Sequence, residues 1–164
     1  MMAGAPAFTT QQVTGVDYTT FQSYNSTGLD FTKVSFINDV FTEYNVDYAS
    51  VQEHFKFVKT TNEYFVTKFP DFHSYVIPGH RSAGQDTGWA KAGLSQLARK
   101  SLVVRKERVT TSSFRIQAQV LHFPSTQVLW INTYLPTDPQ NIHEYDDEEL
   151  QAVLDQVREL LDTA

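Results

Sequence analysis

The period of the apolar residues changes along this chain, and the changes limit the folds open to it. After Asp30, a residue able to cap a helix, apolar side chains fall at Phe31, Val34, Ile37, Val40, Phe41 and Tyr44. That is the spacing of one helix face, and Asn45 is a reasonable stop. Leu150, Val153, Leu154, Val157, Leu160 and Leu161 mark a second amphipathic helix. Elsewhere the runs are short and β-prone. Tyr18 to Tyr24 stops at the turn cluster Asn25-Ser26-Thr27-Gly28, Tyr48 to Gln52 leaves Glu53 at its carboxyl end, and Phe72 to Ile77 stops at Pro78-Gly79. Gly93 to Ala98 and Leu102 to Val104 read as strands parted by Arg99-Lys100. Phe114 to Phe123 and Val128 to Tyr134 flank Pro124-Ser125-Thr126 as a hairpin. Phe55 to Phe69 fits helix or loop, and His80 to Ala92, with no apolar period, reads as a long loop. The order β-α-β, then mostly β, then α predicts a mixed α/β or α+β sandwich.

Composition agrees with one such domain. The chain has 164 residues, 41% hydrophobic and 13% aromatic, enough to bury a core. No repeat or linker divides it. Residues 1–16 are small and polar and are expected to form a disordered leader, with the domain over 17–164. No run approaches the roughly 20 apolar residues of a membrane span, and Met1 to Thr10 lacks the pattern of a signal peptide. An intracellular location, the nucleus included, is the expectation. The absence of cysteine removes disulfides, thiolate metal sites and cysteine nucleophiles together.

The formal net charge of −6 conceals an asymmetry. From Asp138 onward there are nine acids and one base, against ten acids and twelve bases before it. Asp146 to Glu149 lie near the start of the second helix, where its dipole favours negative charge, so they read as a solvated helix start. Six bases, Arg99, Lys100, Arg105, Lys106, Arg108 and Arg115, crowd around the single acid Glu107. An anionic partner therefore remains open, although such clusters are ordinarily solvated strand edges.

Several standard sites fail. Gly93-Leu94-Ser95-Gln96-Leu97 departs from a nucleophile elbow at its last position. Gly84 to Lys91 lacks the spacing of a phosphate-cradling loop. Histidines 54, 73, 80, 122 and 143 show no pair at zinc-ligand spacing. Three strand ends remain: Asn25, Glu53 and Tyr134. Strand carboxyl ends are where α/β sheets place ligand chemistry, and oxygen ligands suit a hard cation such as Mg²⁺. Singly, each also reads as a turn Asn, a surface Glu and a core Tyr.

Taken together they carry a resemblance. Ser23-Tyr24-Asn25-Ser26-Thr27-Gly28-Leu29 resembles the first strand of the endonuclease/exonuclease/phosphatase superfamily, which typically ends in Trp-Asn followed by Gly-Leu. Val46-Asp47-Tyr48-Ala49-Ser50-Val51-Gln52-Glu53-His54 is similar to that family's aspartate, hydrophobic strand and Gln-Glu. Ala92 to Leu102 resembles its Gly-hydrophobic strand ending in basic residues, and Asn132-Thr133-Tyr134-Leu135-Pro136 matches its Asn-x-Tyr-x-Pro motif. The Gln-Glu-His variant is closest to LINE-type retrotransposon endonucleases.

The resemblance covers residues 18 to 162, about the first three-fifths of such a domain. It implies the first half of an α/β (α+β) sandwich of mixed, largely antiparallel sheets with outer helices. It implies Glu53 as the ligand of Mg²⁺ or Mn²⁺, Asn25 as a polar partner near metal and phosphate, and Tyr134 as a donor to the scissile phosphate. DNA is the implied partner, bound weakly and salt-sensitively, with Arg99, Lys100, Arg105, Lys106, Arg108 and Arg115 as phosphate contacts. The family's later Gly-Asp-x-Asn and Asp-His segments are not in this sequence. The expectation is thus an amino-terminal fragment of a phosphodiesterase, inactive alone and self-associating through a bare sheet edge. The alternative is a non-catalytic remnant serving as a binding or structural module.

Overall fold

Strand pairing divides the chain into two sheets. The computed structural model describes residues 11–13, 19–56, 61–80, 92–135 and 147–163. In chain order the elements are β1 (Gln11–Val13), β2 (Thr19–Asn25), α1 (Phe31–Glu43), β3 (Tyr48–Gln52), α2 (Thr61–Lys68) and β4 (Phe72–Ile77). Then follow β5 (Leu94–Arg99), β6 (Arg105–Val109), β7 (Ile116–His122), β8 (Gln127–Thr133) and α3 (Asp147–Asp162). One sheet has the order β1-β2-β3-β5-β4 and the other β6-β7-β8. β2 and β3 pair in parallel, with α1 as their crossover, and the other pairings are antiparallel. The result is an α+β sandwich of largely antiparallel sheets, as the residue pattern predicts.

The period-two alternation of β3 sorts the core into two parts. Ala49 and Val51 join Tyr24, Ile37, Phe41, Phe65, Phe69 and Leu97 under the helices. Tyr48, on the other face, meets Leu121 and Trp130 between the sheets. It stacks on Phe21 at 4.9 Å and meets Trp130 edge-on at 5.5 Å. α1 begins where expected: the Asp30 carboxylate accepts from the Lys33 N–H at 2.8 Å, and Val34, Ile37, Val40 and Phe41 form its buried face. It ends at Tyr44, with Asn45 in the left-handed region at φ +47°.

Three expectations change. Leu102 to Val104 is not a strand. Leu102 and Val104 pack onto the inter-sheet core from an irregular segment, Val103 is fully exposed, and the strand is the charged β6 that follows. Gln11–Val13, expected inside a disordered leader, pairs with β2 as β1. The ambiguous stretch Phe55 to Phe69 contains α2, anchored by buried Phe65 and capped by buried Phe69. The rest of the leader, the loop residues 81–91 and the acids Asp138, Glu144 and Asp146 lie outside the described residues. Among the described residues no helix is long and apolar enough to cross a membrane.

Candidate active site

Parallel pairing sets the carboxyl ends of β2 and β3 side by side, with Asn25 opposite Gln52 and Glu53 just beyond. The backbone leaves these strands through the left-handed region, with φ of +42° at Thr27, +85° at Gly28, +53° at Glu53 and +56° at Phe55. Ala92 and Gly93, leading into β5, adopt +58° and +97°. A non-glycine residue held there costs about 1–3 kcal/mol, and such residues cluster at functional sites. Cross-ties between the loops hold them in place. Gly28 N–H donates to the Glu53 carbonyl at 2.7 Å, Leu29 N–H to that of His54 at 3.1 Å, and Phe55 N–H to that of Ala92 at 3.0 Å. The Ser26 hydroxyl lies 2.9 Å from the carbonyls of both Gln52 and Glu53.

Above these ties, one hydroxyl joins the two candidate ligands. Thr27 Oγ1 is 3.3 Å from Asn25 Oδ1 and 3.3 Å from Glu53 Oε2, and Thr27 N–H donates to Asn25 Oδ1 at 3.1 Å. Asn25 is exposed and Glu53 half-buried. The Lys33 ammonium donates to the carbonyls of Ser26, Thr27 and Gly28 at 2.7, 3.0 and 2.9 Å, so the loop that carries Asn25 closes around a side chain from α1.

His54 does not share this surface. Its ring is fully buried and meets Phe65 edge-on at 5.0 Å. Nδ1 accepts from the Lys56 N–H at 3.0 Å, which leaves Nε2 to donate to the Ile77 carbonyl at 3.1 Å. Burial pushes its pKa down to about 4. The ring also explains Gly93, where an added Cβ would lie 2.4 Å from His54 Cε1.

Tyr134 follows β8 on the facing sheet, donating its N–H to the Arg115 carbonyl at 3.0 Å under the Arg115 guanidinium. Buried amides connect it to Glu53. Gln52 Nε2 donates to Asn132 Oδ1 at 2.6 Å, and Asn132 Nδ2 donates to the Ser95 carbonyl at 3.1 Å and Gln117 Oε1 at 3.2 Å. Gln117 in turn donates to the Tyr75 carbonyl at 2.7 Å. Asn25 and Glu53 are thus brought together, and Tyr134 is set two residues past Asn132 at the same end of the sandwich.

The six basic candidates divide. Arg99 donates to the carbonyls of Val46 and Phe41 at 2.9 and 3.2 Å and lies over the Phe72 ring. Arg115 pairs with Glu149 of α3 at 2.7 Å. Arg105 lies 3.6 Å from Glu107 and 3.0 Å from a nitrogen of the His122 ring. Lys100, Lys106 and Arg108 face a hollow between the sheet edges.

No known family model matches the chain, and no curated protein matches it in sequence. Its fold matches solved structures. AP endonuclease LMAP from Leishmania major aligns with a TM-score of 0.65 and 16% identity over 86% of this chain and 47% of that one. That neighbour belongs to the endonuclease/exonuclease/phosphatase superfamily, and this chain shares its fold over part of its length. A truncated Caenorhabditis elegans TDP2, of the same superfamily, aligns with a TM-score of 0.55 and 16% identity over 88% of this chain and 56% of that one. The chain spans about half the length of the solved structures it matches.

Within that superfamily fold, three participants escaped the sequence reading. Thr27 reads in sequence only as a turn residue, Lys33 carries no signal there, and Asn132 reads only as a letter of the Asn-x-Tyr-x-Pro motif. The signal available for Asn132 was its even spacing from Trp130, which places both on the face turned to the larger sheet.

Proposed function

We propose that this chain is the amino-terminal part of a divalent-metal-dependent phosphodiesterase acting on DNA, related to retroelement endonucleases and inactive alone. The observation that carries the reading is the Thr27 hydroxyl joining Asn25 to Glu53 where two parallel strands end. An all-oxygen set with one carboxylate fits Mg²⁺ or Mn²⁺, which bind through one or two carboxylates and leave much of their shell to water and substrate phosphate. Such an ion supplies Lewis-acid stabilisation of the phosphoryl oxygens. Glu53 is its proposed ligand, Asn25 orients Thr27 and the phosphate side of the site, and Tyr134 donates to a phosphate oxygen from the facing sheet. Among the described residues no three His, Asp or Glu side chains cluster, and His54 faces the core. The constellation of Asn25, Thr27, Glu53 and Tyr134 names no general base beside the proposed metal ligand, and working without one forfeits about 10²–10⁴-fold in rate. The same deficit favours the second reading, a non-catalytic module that keeps the fold and binds. β8 is an edge strand of its sheet, which supports self-association.

Supercoiled-plasmid nicking in Mg²⁺ separates the two readings. The 164-residue chain is expected to leave the plasmid intact, and a chain extended to the full domain to nick it unless Glu53→Ala is present. An extended chain that stays inactive favours the binding module. Nicking by the 164-residue chain, lost on Glu53→Ala, shows that this half holds a complete site and removes the claim of inactivity.

A further inference from the structure

β4 and β6 are outer strands of their sheets, and two adjoining hollows lie between these edges. The first, of about 540 Å³, is lined by His73, Ser74, Tyr75, Lys100, Lys106 and Arg108, among others. The second, of about 430 Å³, shares Tyr75 and Arg108 with it and continues past Thr110, Thr111, Ser112 and Ser113 to Ile77. Together they form a groove along β4. Ile77 pairs with Leu94 and Leu94 with Gln52, so the hydroxyl-rich end opens toward Glu53. Phe72 pairs with Arg99, the neighbour of Lys100, at the other end. Six residues of extended strand give a track about 20 Å long.

The charge in this groove is one-signed. Lys106 pairs with Leu121 and Arg108 with Gln119, both buried, so these two cations project from the inner face of β6, where a sandwich ordinarily places apolar side chains. Inward charges do guard an edge strand against unwanted pairing, but that explains β6 alone and not Lys100 or His73 on the other sheet. Among the described residues no Asp or Glu lines either hollow, in contrast to the carboxylate-paired Arg105 and Arg115; Lys106 Nζ donates to the Val104 carbonyl at 3.2 Å. Burial, then Lys106 and Lys100, push the His73 pKa down. Arg108 lies 4.3 Å over the Tyr75 ring.

A positively charged groove with an aromatic ring is how proteins track a single-stranded backbone, and Ser and Thr hydroxyls also contact phosphates. We propose that this groove holds one strand of nucleic acid by its phosphates, with Lys100, Lys106 and Arg108 as contacts, and leads it toward Glu53. The identity of the ligand rests on the phosphodiesterase reading; the groove does not.

Fluorescence anisotropy with a labelled twelve-nucleotide oligothymidylate, in chelator so that nothing is cut, tests it. The double variant Lys106→Gln/Arg108→Gln is expected to weaken binding about tenfold or more at low salt. It should also flatten the log–log salt dependence by about 1.4, at about 0.7 for each lost phosphate contact on a single strand. Lys100→Gln, in a turn outside the strands, should weaken binding by a smaller step, while Arg158→Gln on α3, outside both hollows, leaves it within twofold. Circular dichroism and thermal unfolding matching the parent chain confirm that each variant is folded. Binding that all the groove variants leave unchanged overturns the groove and spares the phosphodiesterase reading. A duplex bound more tightly than the single strand overturns the single-strand assignment, and no binding of any oligonucleotide overturns both readings.

Discussion

The larger sheet is covered on one face by α1 and α2 and on the other by the three-stranded sheet, and the two coverings use different chemistry. Under the helices the contacts are aromatic and aliphatic, with Phe41 5.1 Å from Phe72 and 6.0 Å from Phe69, and Phe65 stacked on Phe69 at 5.8 Å. His54, the polar ring that meets this cluster, has a partner at both nitrogens. Between the sheets, by contrast, Gln96, Gln117, Gln119 and Asn132 are buried beside Trp130, whose indole N–H donates to Ser50 Oγ at 2.9 Å. Gln119 donates to Gln96 Oε1 at 2.9 Å, and Gln96 to the Trp130 carbonyl at 2.9 Å. Apolar contact is non-directional, whereas a buried amide bond holds in one register. The helix face is thus held by apolar burial, whereas between the sheets the apolar cluster of Phe21, Tyr48, Leu121 and Trp130 shares the space with amides that fix where Tyr134 stands relative to Glu53.

The largest expected effect follows from the helix face. Phe65→Ala should lower unfolding stability by about 4 kcal/mol in urea titration, the ordinary cost of deleting a fully buried ring. The amide contacts of the other face should persist in its folded fraction. A loss well under 2 kcal/mol would break the assignment of stability to that face.

Acid should produce the next effect. The folded-state pKa of His54 is about 4, well below the 6.5 of an ordinary imidazole, so the unfolded chain takes up the proton first. This contribution is fully present above about pH 6.5 and is lost as the pH falls toward 4, amounting to about 3 kcal/mol. Urea midpoints measured at pH 7, 5.5 and 4.5 should fall accordingly. A flat profile across this window would remove His54 from the list of titrating groups.

The smallest change sharpens the contrast most. Asn132→Ala leaves Gln52 and Gln117 short of a buried partner and should lower stability by about 2 kcal/mol. Hydrogen exchange should nevertheless quicken selectively at β7 and β8. Uniform loss of protection over both faces would mean that the amides contribute stability without fixing register.

How much of this was legible depends on which force acts at each position. The bounds of β3 and β4 and the Asp30 cap follow from alternation and capping, which are local. Glu53 and Asn25 were visible because they sit where β-prone runs stop. The amides were not, since Gln117 and Gln119 alternate with apolar residues and read as solvent-facing. Only the second sheet reveals that their face is covered. β6 escaped because a charged edge strand has no apolar period, and α2 because Phe65 and Phe69 alone mark too little of a helix face. Lys33 left no trace at all: ammonium-to-carbonyl contacts depend on loop shape and have no sequence period.

That lysine has a consequence for the loop it enters. Three carbonyl oxygens converging on a point are a typical cradle for a free cation, and here the charge is covalently attached to α1. The β2–α1 loop thus carries its own tethered counter-ion, one that neither dilution nor a chelator can withdraw. The docking of α1 and the shape of the loop that carries Asn25 are therefore one event, tied through a single side chain.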